Sequence, residues 1–300
     1  MELSVVVPTL NERDHLAATL DVLAAHAPDA EVVVVNGPSA DGTTGMIRDR
    51  DDVDVLVEVS DRTLNVSRNA GIRAASGDVV AFLRHDLAIE EGWTTAIEAG
   101  LQNAAVVTGP IHETLPAGMT TTAPETRQIR GRDVTYFNGG NVAFRATVLD
   151  RLDGFDEYLE TGGARDAAHR LAGLGYDVAW ESEMSVRTEY EADGGVDERN
   201  HRWKYRALTY RLVKNYGLRP TVLRRIVSHA GSDAIAAARD VVAGDATPTG
   251  WVGTGRDVVA GVATGWSDGL VARARDQSPT RNPHGCSKRA DRAVARYDWR

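Results

Sequence analysis

Short apolar runs alternate with amphipathic stretches through the first third of the chain. The runs are Ser4–Pro8, Glu31–Asn36, Val53–Val59, Asp78–Leu83 and Ala104–Thr108. Continuous runs of this length, rich in valine, predict strands covered on both faces. Between the first two, Leu16, Leu20 and Leu23 recur at i, i+4 and i+7, which predicts a helix over Arg13–His26 ended by Pro28-Asp29. Further helices are predicted over Thr43–Arg50, Val66–Ala75 and Glu91–Leu101. Strands alternating with helices in this way imply an α/β fold with a mostly parallel sheet and right-handed crossovers.

After Pro110 the pattern weakens. Ile111–Asp133 is polar and threonine-rich, and is read as a loop over the sheet edge. A strand follows at Val142–Arg145, helices at Ala146–Leu152 and Arg165–Leu174, and a strand at Tyr176–Glu181. Beyond Val196 the chain reads as helical. Tyr205, Leu208, Leu212 and Tyr216 share one helical face, with Arg206, Arg211 and Lys214 off it; Val259, Val262, Trp266 and Leu270 repeat the spacing. The end, from Gln277, reads as loosely ordered up to Tyr297–Trp299. The division expected is residues 1–195 as the main domain and 196–300 as a basic helical region.

Charge sharpens that division. Residues 201–300 carry 18 Lys and Arg against 8 Asp and no Glu, whereas residues 1–200 carry 16 against 35. An acidic body with only three lysines in the chain (Lys204, Lys214, Lys288) resembles proteins of salt-loving organisms; a GC-rich genome is the plainer alternative. The basic region suits an anionic membrane surface or packing against the acidic body. Few aromatics and no recognition motif accompany it, which argues against nucleic acid. A single cysteine, Cys286, excludes a disulfide framework. No secretory signal and no spanning apolar segment are read.

The candidate chemistry lies where predicted strands end, because ligands of open parallel sheets bind beyond the carboxyl ends of the strands. Pro8, Thr9, Asn11 and Glu12 follow the first strand. Asn36, Ser39 and Asp41 follow the second. Arg68 and Asn69 sit on the helix before the run Gly77–Asp86 (GDVVAFLRHD), which ends in Arg84-His85-Asp86. A free helix N-terminus and a guanidinium both suit phosphate. Structural roles are open for each: Asn11 and Asp41 as caps, Arg68 as an ion-pair partner of Asp78 or Asp86.

The ordered set VVVPTLNE, VVVNGPSADGT, SRNAGIRAASGDVVAFLRHD, NGGNVAFR and GFDE resembles the family 2 glycosyltransferases of GT-A fold, over about residues 1–190. The resemblance implies a nucleotide-sugar donor held by Pro8, Thr9, Asn11, Glu12, Asn36, Ser39, Asp41, Arg68, Asn69, Arg84 and Asp86. It implies an acceptor side at Asn138, Gly139, Gly140 and Asn141, and a divalent metal (Mg²⁺ or Mn²⁺) at Asp86, with His85 beside it. Two departures stand out. Arg84 replaces the first aspartate of the usual aspartate–any–aspartate pattern. The Glu-Asp pair of inverting members is missing near Gly163–Arg165, which leaves Asp166 as the nearest carboxylate and the expected general base, with His169 at i+3. Trp180, Tyr190 and Trp203 are either sugar-stacking or packing residues.

The function expected is an inverting glycosyltransferase acting on a polyprenyl-phosphate-linked or other glycan acceptor, in cell-surface (S-layer) N-glycan assembly at the cytoplasmic face of an archaeal membrane. The two departures motivate an alternative, a non-catalytic nucleotide-sugar-binding partner. A nucleotidyltransferase is disfavoured because PTLNERD replaces a glycine-rich basic loop.

Overall fold

The computed structural model describes residues 1–112, 124–188, 201–243 and 248–300. Four parallel strands form its centre: β1 (Leu3–Thr9), β2 (Glu31–Asn36), β3 (Val55–Val59) and β4 (Val79–Leu83). They are linked by the helices α1 (Arg13–His26), α2 (Thr43–Arg48) and α3 (Leu64–Ala74). Next come β5 (Leu87–Ile89), α4 (Trp93–Leu101), β6 (Val106–Thr108) and β7 (Ile111–His112), then β8 (Thr126–Ile129), β9 (Arg132–Thr135) and β10 (Asn141–Arg145). The chain continues through α5 (Ala146–Leu152), α6 (Gly163–Leu174), β11 (Val178–Trp180) and β12 (Val186–Thr188) into α7 (His201–Tyr216), α8 (Pro220–Ala243) and α9 (Pro248–Arg275). It ends in β13 (Ala293–Asp298). The main sheet has the order β11-β6-β10-β4-β1-β2-β3-β13, with β10 and β13 antiparallel to their neighbours.

The predicted two-sided burial is borne out residue by residue. On β1, Val6 points into one core, with Phe82, Phe144 and Phe155, while Val5 and Val7 point into the other, with Leu16, Leu20 and Trp93. Strand geometry alternates side chains between faces, so a run of valines is what a sheet with helices on both sides requires. Gly71 of α3 marks how closely the first layer packs. A β-carbon there would lie 2.3 Å from Val6 Cγ1. Gly71→Ala is expected to destabilise the protein by about 1–3 kcal/mol, read as a lowered midpoint in urea unfolding at unchanged slope.

Two sequence expectations fail. The stretch read as a loop contains the hairpin β8–β9, turned by Arg130 and Gly131, both at positive φ. Its polar outer face hid the period-2 signal: only Ile129 and Val134 are buried. The expected loose end is the edge strand β13, which pairs with β3 from Val55 to Val59. The segment before it is tied down at Asp153, whose carboxylate accepts from the Ser287 amide at 2.7 Å. Among the described residues the C-terminal region is α-helical only as far as Arg275, and its tail returns to the acidic body.

In α7 the predicted apolar face is buried: Tyr205, Leu208, Leu212 and Tyr216 are all at most 6% exposed. Lys214, read as lying off that face, is also fully buried. In α9, Val262, Trp266 and Leu270 pack against the core, but Val259 is exposed.

Candidate active site

The carboxyl ends of β1, β2 and β4 meet at one edge. Thr9 and Asn36 sit side by side in the β1–β2 register. Two loops are laced together there. Asn11, held at φ 55°, donates its amide to Ser39 Oγ (2.9 Å) and accepts the Ala40 amide on Oδ1 (2.7 Å). Ser39 in turn donates to Asn36 Oδ1 (2.7 Å), and Asn36 donates to Thr44 Oγ1 (2.8 Å). Asp41 accepts the amides of Arg13 and Thr43 at 3.0 and 3.1 Å, so it caps α1 and α2 together. A slight burial penalty on its carboxyl is outweighed by bonds from Thr43 and Arg13, which hold it below the usual range. The Thr9 hydroxyl is buried and has no partner among the described residues. It is a polar group at the strand end that a ligand can satisfy.

The end of β4 carries the departure seen in the sequence. Arg84 Nε donates to Asp86 Oδ1, a charge-assisted bond between partly exposed groups. The Arg84 amide also donates to Gly140 O at 3.0 Å. His85 turns the other way, its Nδ1 3.3 Å from Pro8 O, while its carbonyl accepts from Thr19 Oγ1. Burial pushes the His85 imidazole below its ordinary pKa despite the nearby charges of Asp86 and Glu12. Glu12 itself accepts from His15 Nδ1 at 2.9 Å.

This arrangement bears on the expected divalent metal. The expected Asp86–His85 pair is not assembled, because the imidazole faces Pro8. Among the described residues no three His, Cys, Asp or Glu groups are placed to hold a metal ion. Asp86, already bearing a guanidinium, would be one ligand of a divalent ion whose other oxygen ligands would come from substrate phosphates and water.

Gly139 and Gly140 are required by the protein's own arginines. A β-carbon on Gly139 would lie 2.5 Å from Arg68 Nη2, and one on Gly140 would lie 2.9 Å from Arg84 Cβ. Arg68 is 7% exposed, donates from Nη2 to Gly139 O (2.7 Å), and sits 5.0 Å over the Phe155 ring. It has no carboxylate partner among the described residues: Asp86 pairs with Arg84, and Asp78 accepts the Glu2 amide. Burial lowers the Arg68 pKa to about 10. Asn138 holds the turn by accepting the Gly140 amide at 2.9 Å.

Three expected site residues are structural instead. Asn69 is fully buried; it donates to Phe155 O and Glu157 Oε1 and accepts the Phe155 amide, which leaves nothing for a nucleotide. Asn141 is fully buried between Trp93, Pro110 and Met184, so it makes no acceptor contact. Asp166 is the largest correction. Its side chain is wholly buried. Oδ2 accepts from Arg170 Nε and Lys214 Nζ, both at 2.8 Å, and Oδ1 accepts from Asn215 at 2.9 Å. A base must reach the proton it takes, and the Asp166 carboxylate is enclosed by Arg170, Lys214 and Asn215. The residue of α6 beside the Gly139 turn is Ala164, 3.2 Å from where a Gly139 β-carbon would stand. Of the candidate stacking aromatics, Trp203 packs on Tyr158 and Arg206, Trp180 lies in β11, and Tyr190 falls outside the described residues.

A charged hub was not foreseen. Lys214 joins Asp156 (2.6 Å) and Asp166 (2.8 Å), with every one of these side chains fully buried. Tyr210 donates to Asp156 Oδ2 at 2.8 Å, and His284 Nδ1 lies 3.1 Å from Oδ1. The GFDE segment thus anchors the C-terminal region to the sheet.

Comparison with known proteins agrees with the geometry. Residues 4–152 match the model of the glycosyl transferase family 2 family. Glycosyltransferase AglE of Haloferax volcanii is 26% identical over 197 residues, 59% of this chain and 63% of its own length. The mannosyltransferase PcManGT from Pyrobaculum calidifontis, solved in complex with GDP-Man and Mn²⁺, superposes with a TM-score of 0.57 at 17% identity, covering 92% of this chain and 88% of its own. TarS 1–349 of S. aureus, in complex with UDP-GlcNAc, gives 0.57 at 18% identity over 71% and 66%. Residues 4–152 therefore carry a glycosyl transferase family 2 domain, and the fold is the GT-A architecture of these solved structures.

Proposed function

We propose that the chain transfers a sugar from a nucleoside-diphosphate sugar to a hydroxyl of a lipid-linked glycan, with inversion at the anomeric carbon, in the assembly of cell-surface glycans. The observation that carries the donor half is the edge where Thr9, the Asn11–Ser39 lacing and the Arg84–Asp86 pair converge. It offers an unpartnered hydroxyl and a guanidinium at the carboxyl ends of parallel strands. PcManGT and TarS, named with GDP-Man and UDP-GlcNAc, support a nucleotide sugar as donor. The likeness to AglE and the acidic, lysine-poor body support a haloarchaeal setting for the acceptor.

In this reading Arg84 lies against the donor diphosphate, and its charge stabilises the leaving nucleoside diphosphate. Asp86 orients the guanidinium and is the carboxylate beside it that a donor-bound cation would meet. The acceptor proton goes to a group outside α6. Glu125 is the carboxylate lining the cavity beside Gly162 and Arg165, and we assign it that role.

No helix among the described residues is long and apolar enough to cross a membrane. Contact with an anionic bilayer surface falls to the basic C-terminal region, where α8 exposes Leu223, Val227 and Ile235. The test is a panel of labelled nucleotide sugars with polyprenyl-phosphate glycans at high salt. One donor should release its nucleoside diphosphate only when acceptor is present, and Glu125→Gln should slow release about a hundredfold at unchanged donor affinity. Donor binding without release for every acceptor would instead support a non-catalytic nucleotide-sugar-binding role.

A further inference from the structure

A basic trough runs from Gly162 and Arg165, at the start of α6, to the β8–β9 hairpin and α8. It consists of two adjoining cavities of about 370 and 440 Å³, which share Glu125, Arg225 and His229. Among the described residues, seven Arg and Lys side chains line it against one carboxylate, Glu125. Glu125 is already taken by Arg165 (2.8 Å) and Arg127 (3.1 Å), and Lys204 pairs with Asp233. Arg130, Arg211, Arg224 and Arg225 have no acidic partner among the described residues. Arg211 Nε is buried and has no hydrogen-bond acceptor there either. Burial, and then the neighbouring Arg165, lower the Arg211 pKa to about 10. Gly162 is held at φ +73°, and a β-carbon on it would lie 2.6 Å from Arg211 Nη1, so a glycine at the start of α6 leaves room for this guanidinium. Like charges gathered without counter-charge repel one another unless a ligand neutralises them.

The lining narrows the ligand in three ways. First, the unpartnered guanidinium groups do not converge. Arg211 lines one cavity, Arg130 and Arg224 line the other, and Arg225 lines both. Charges set out along a trough suit a ligand that carries single negative groups at intervals, each within reach of a guanidinium fork, whereas one phosphate draws its arginines to one point. Second, the apolar lining is out of reach: Ile129, Ala207, Leu208 and Leu212 are each at most 6% exposed. The exposed uncharged side chains include Gln128, Thr161, Thr221 and Ser228, which both donate and accept hydrogen bonds. That chemistry matches a surface of hydroxyl groups and offers nothing to a hydrocarbon chain. Third, each cavity falls in the range of about 300–1,000 Å³ that takes an organic ligand, far more than a single inorganic anion fills.

We infer that this trough binds an acidic stretch of the acceptor glycan, with Arg211 and Arg225 on the carboxylate of one hexuronic acid residue and Arg130 and Arg224 on that of the next. The role as acceptor rests on the glycosyltransferase reading given above, in which Glu125, shared by both cavities, is the base; the binding of an acidic saccharide does not rest on it. The enzyme would then select acceptors by charge, since a neutral glycan leaves four guanidinium groups without a partner.

Calorimetric titration of the full chain at one fixed salt concentration tests it. The probes are hexuronate trisaccharides of α and β linkage, their neutral methyl esters, inorganic sulfate, and GDP and UDP in separate runs. At least one trisaccharide should bind, and its methyl ester and sulfate should each bind at least about tenfold more weakly. Arg225→Gln should weaken the trisaccharide about ten- to a hundredfold, the range for losing a bond to a charged group. Arg151→Gln removes one exposed charge from α5, outside the trough, and should leave trisaccharide affinity unchanged. Both variants should bind the nucleoside diphosphates as the wild type does. No binding of any trisaccharide, equal binding of acid and ester, or equal losses from Arg225→Gln and Arg151→Gln overturns the proposal. Sulfate binding as tightly as the trisaccharide also overturns it, in favour of a site for small anions. Trisaccharide binding as expected with neither nucleoside diphosphate bound upholds the acidic-saccharide site and places the fault in the donor reading.

Discussion

Lys214→Met is expected to lower stability by about 3–5 kcal/mol, the range for removing one partner of a buried ion pair. The substitution keeps the length of the side chain and removes its charge. Asp156 and Asp166 would then lose the ammonium between them, in a place with no exposure to solvent. Arg170 still pairs with Asp166, so the larger share of the loss falls on Asp156, which keeps only the Tyr210 hydroxyl, His284 and a backbone amide. Chemical denaturation followed by circular dichroism measures it; a loss under about 1 kcal/mol would mean that the hub contributes little.

The pH dependence follows from the same hub. Burial raises the Asp156 pKa, but the Lys214 charge and His284 outweigh it and hold the carboxyl well below the usual range. A folded-state pKa lower than the unfolded one gives stability that is complete above the ordinary carboxylate value, about 4, and is lost as pH falls towards the folded value. Wild type should therefore lose stability steeply on acidification below about pH 4. In Lys214→Met that acid dependence should flatten, because the partner that depresses the pKa is gone. Asp166→Asn separates structure from catalysis: it should cost stability and leave the low-pH limb of the pH–rate profile, which reports the general base, in place, since the Asp166 side chain is wholly buried.

The second large effect concerns Arg84. Arg84→Ala should weaken nucleoside diphosphate binding about tenfold or more, as expected for losing a charge-assisted phosphate contact. Wild-type binding should change little on chelation, because Arg84 already sets a fixed charge against Asp86 and, among the described residues, no three His, Cys, Asp or Glu groups gather to hold a metal ion. Arg84→Asp restores the two-carboxylate pattern and should bind nucleoside diphosphate appreciably only with Mn²⁺ added. Titration with and without chelator reads the wild type and both variants. Wild-type binding that vanishes on chelation would refute the cationic role given to Arg84.

These two predictions mark how far the sequence could be read. Strands β1 to β4 and helix α1 were legible because their burial is local in origin: an unbroken valine run is covered on both faces wherever it lies, and Leu16, Leu20 and Leu23 fall on one face of any helix. Arg84 was legible as an anomaly because β4 ends where the pattern turns polar. The hairpin β8–β9 and strand β13 were not, because each shows the core only one or two apolar residues, and their partners are remote or are each other. Exposure of Val259 likewise depends on what α9 packs against.

Asp166 shows the boundary most clearly. As sequence, a carboxylate in the first turn of a helix next to a glycine pair reads as a candidate base or as an aspartate stabilised by the helix dipole, and Lys214, 48 residues on, reads as a solvated charge off an apolar face. Whether either touches water depends on the crossing of α6 and α7 and on the docking of the GFDE segment beneath them. The sequence by itself determined the layered fold, the family and the altered edge at Arg84-His85-Asp86, since periodicity and motif order are properties of the chain. Only the tertiary structure decided that Asp166 is an ion-pair centre, that Gly139 and Gly140 make room for arginines, and that unpaired guanidinium groups gather at Arg211. Each of those depends on charges brought together from distant segments into surroundings that exclude water, where pairing or its absence sets their energy.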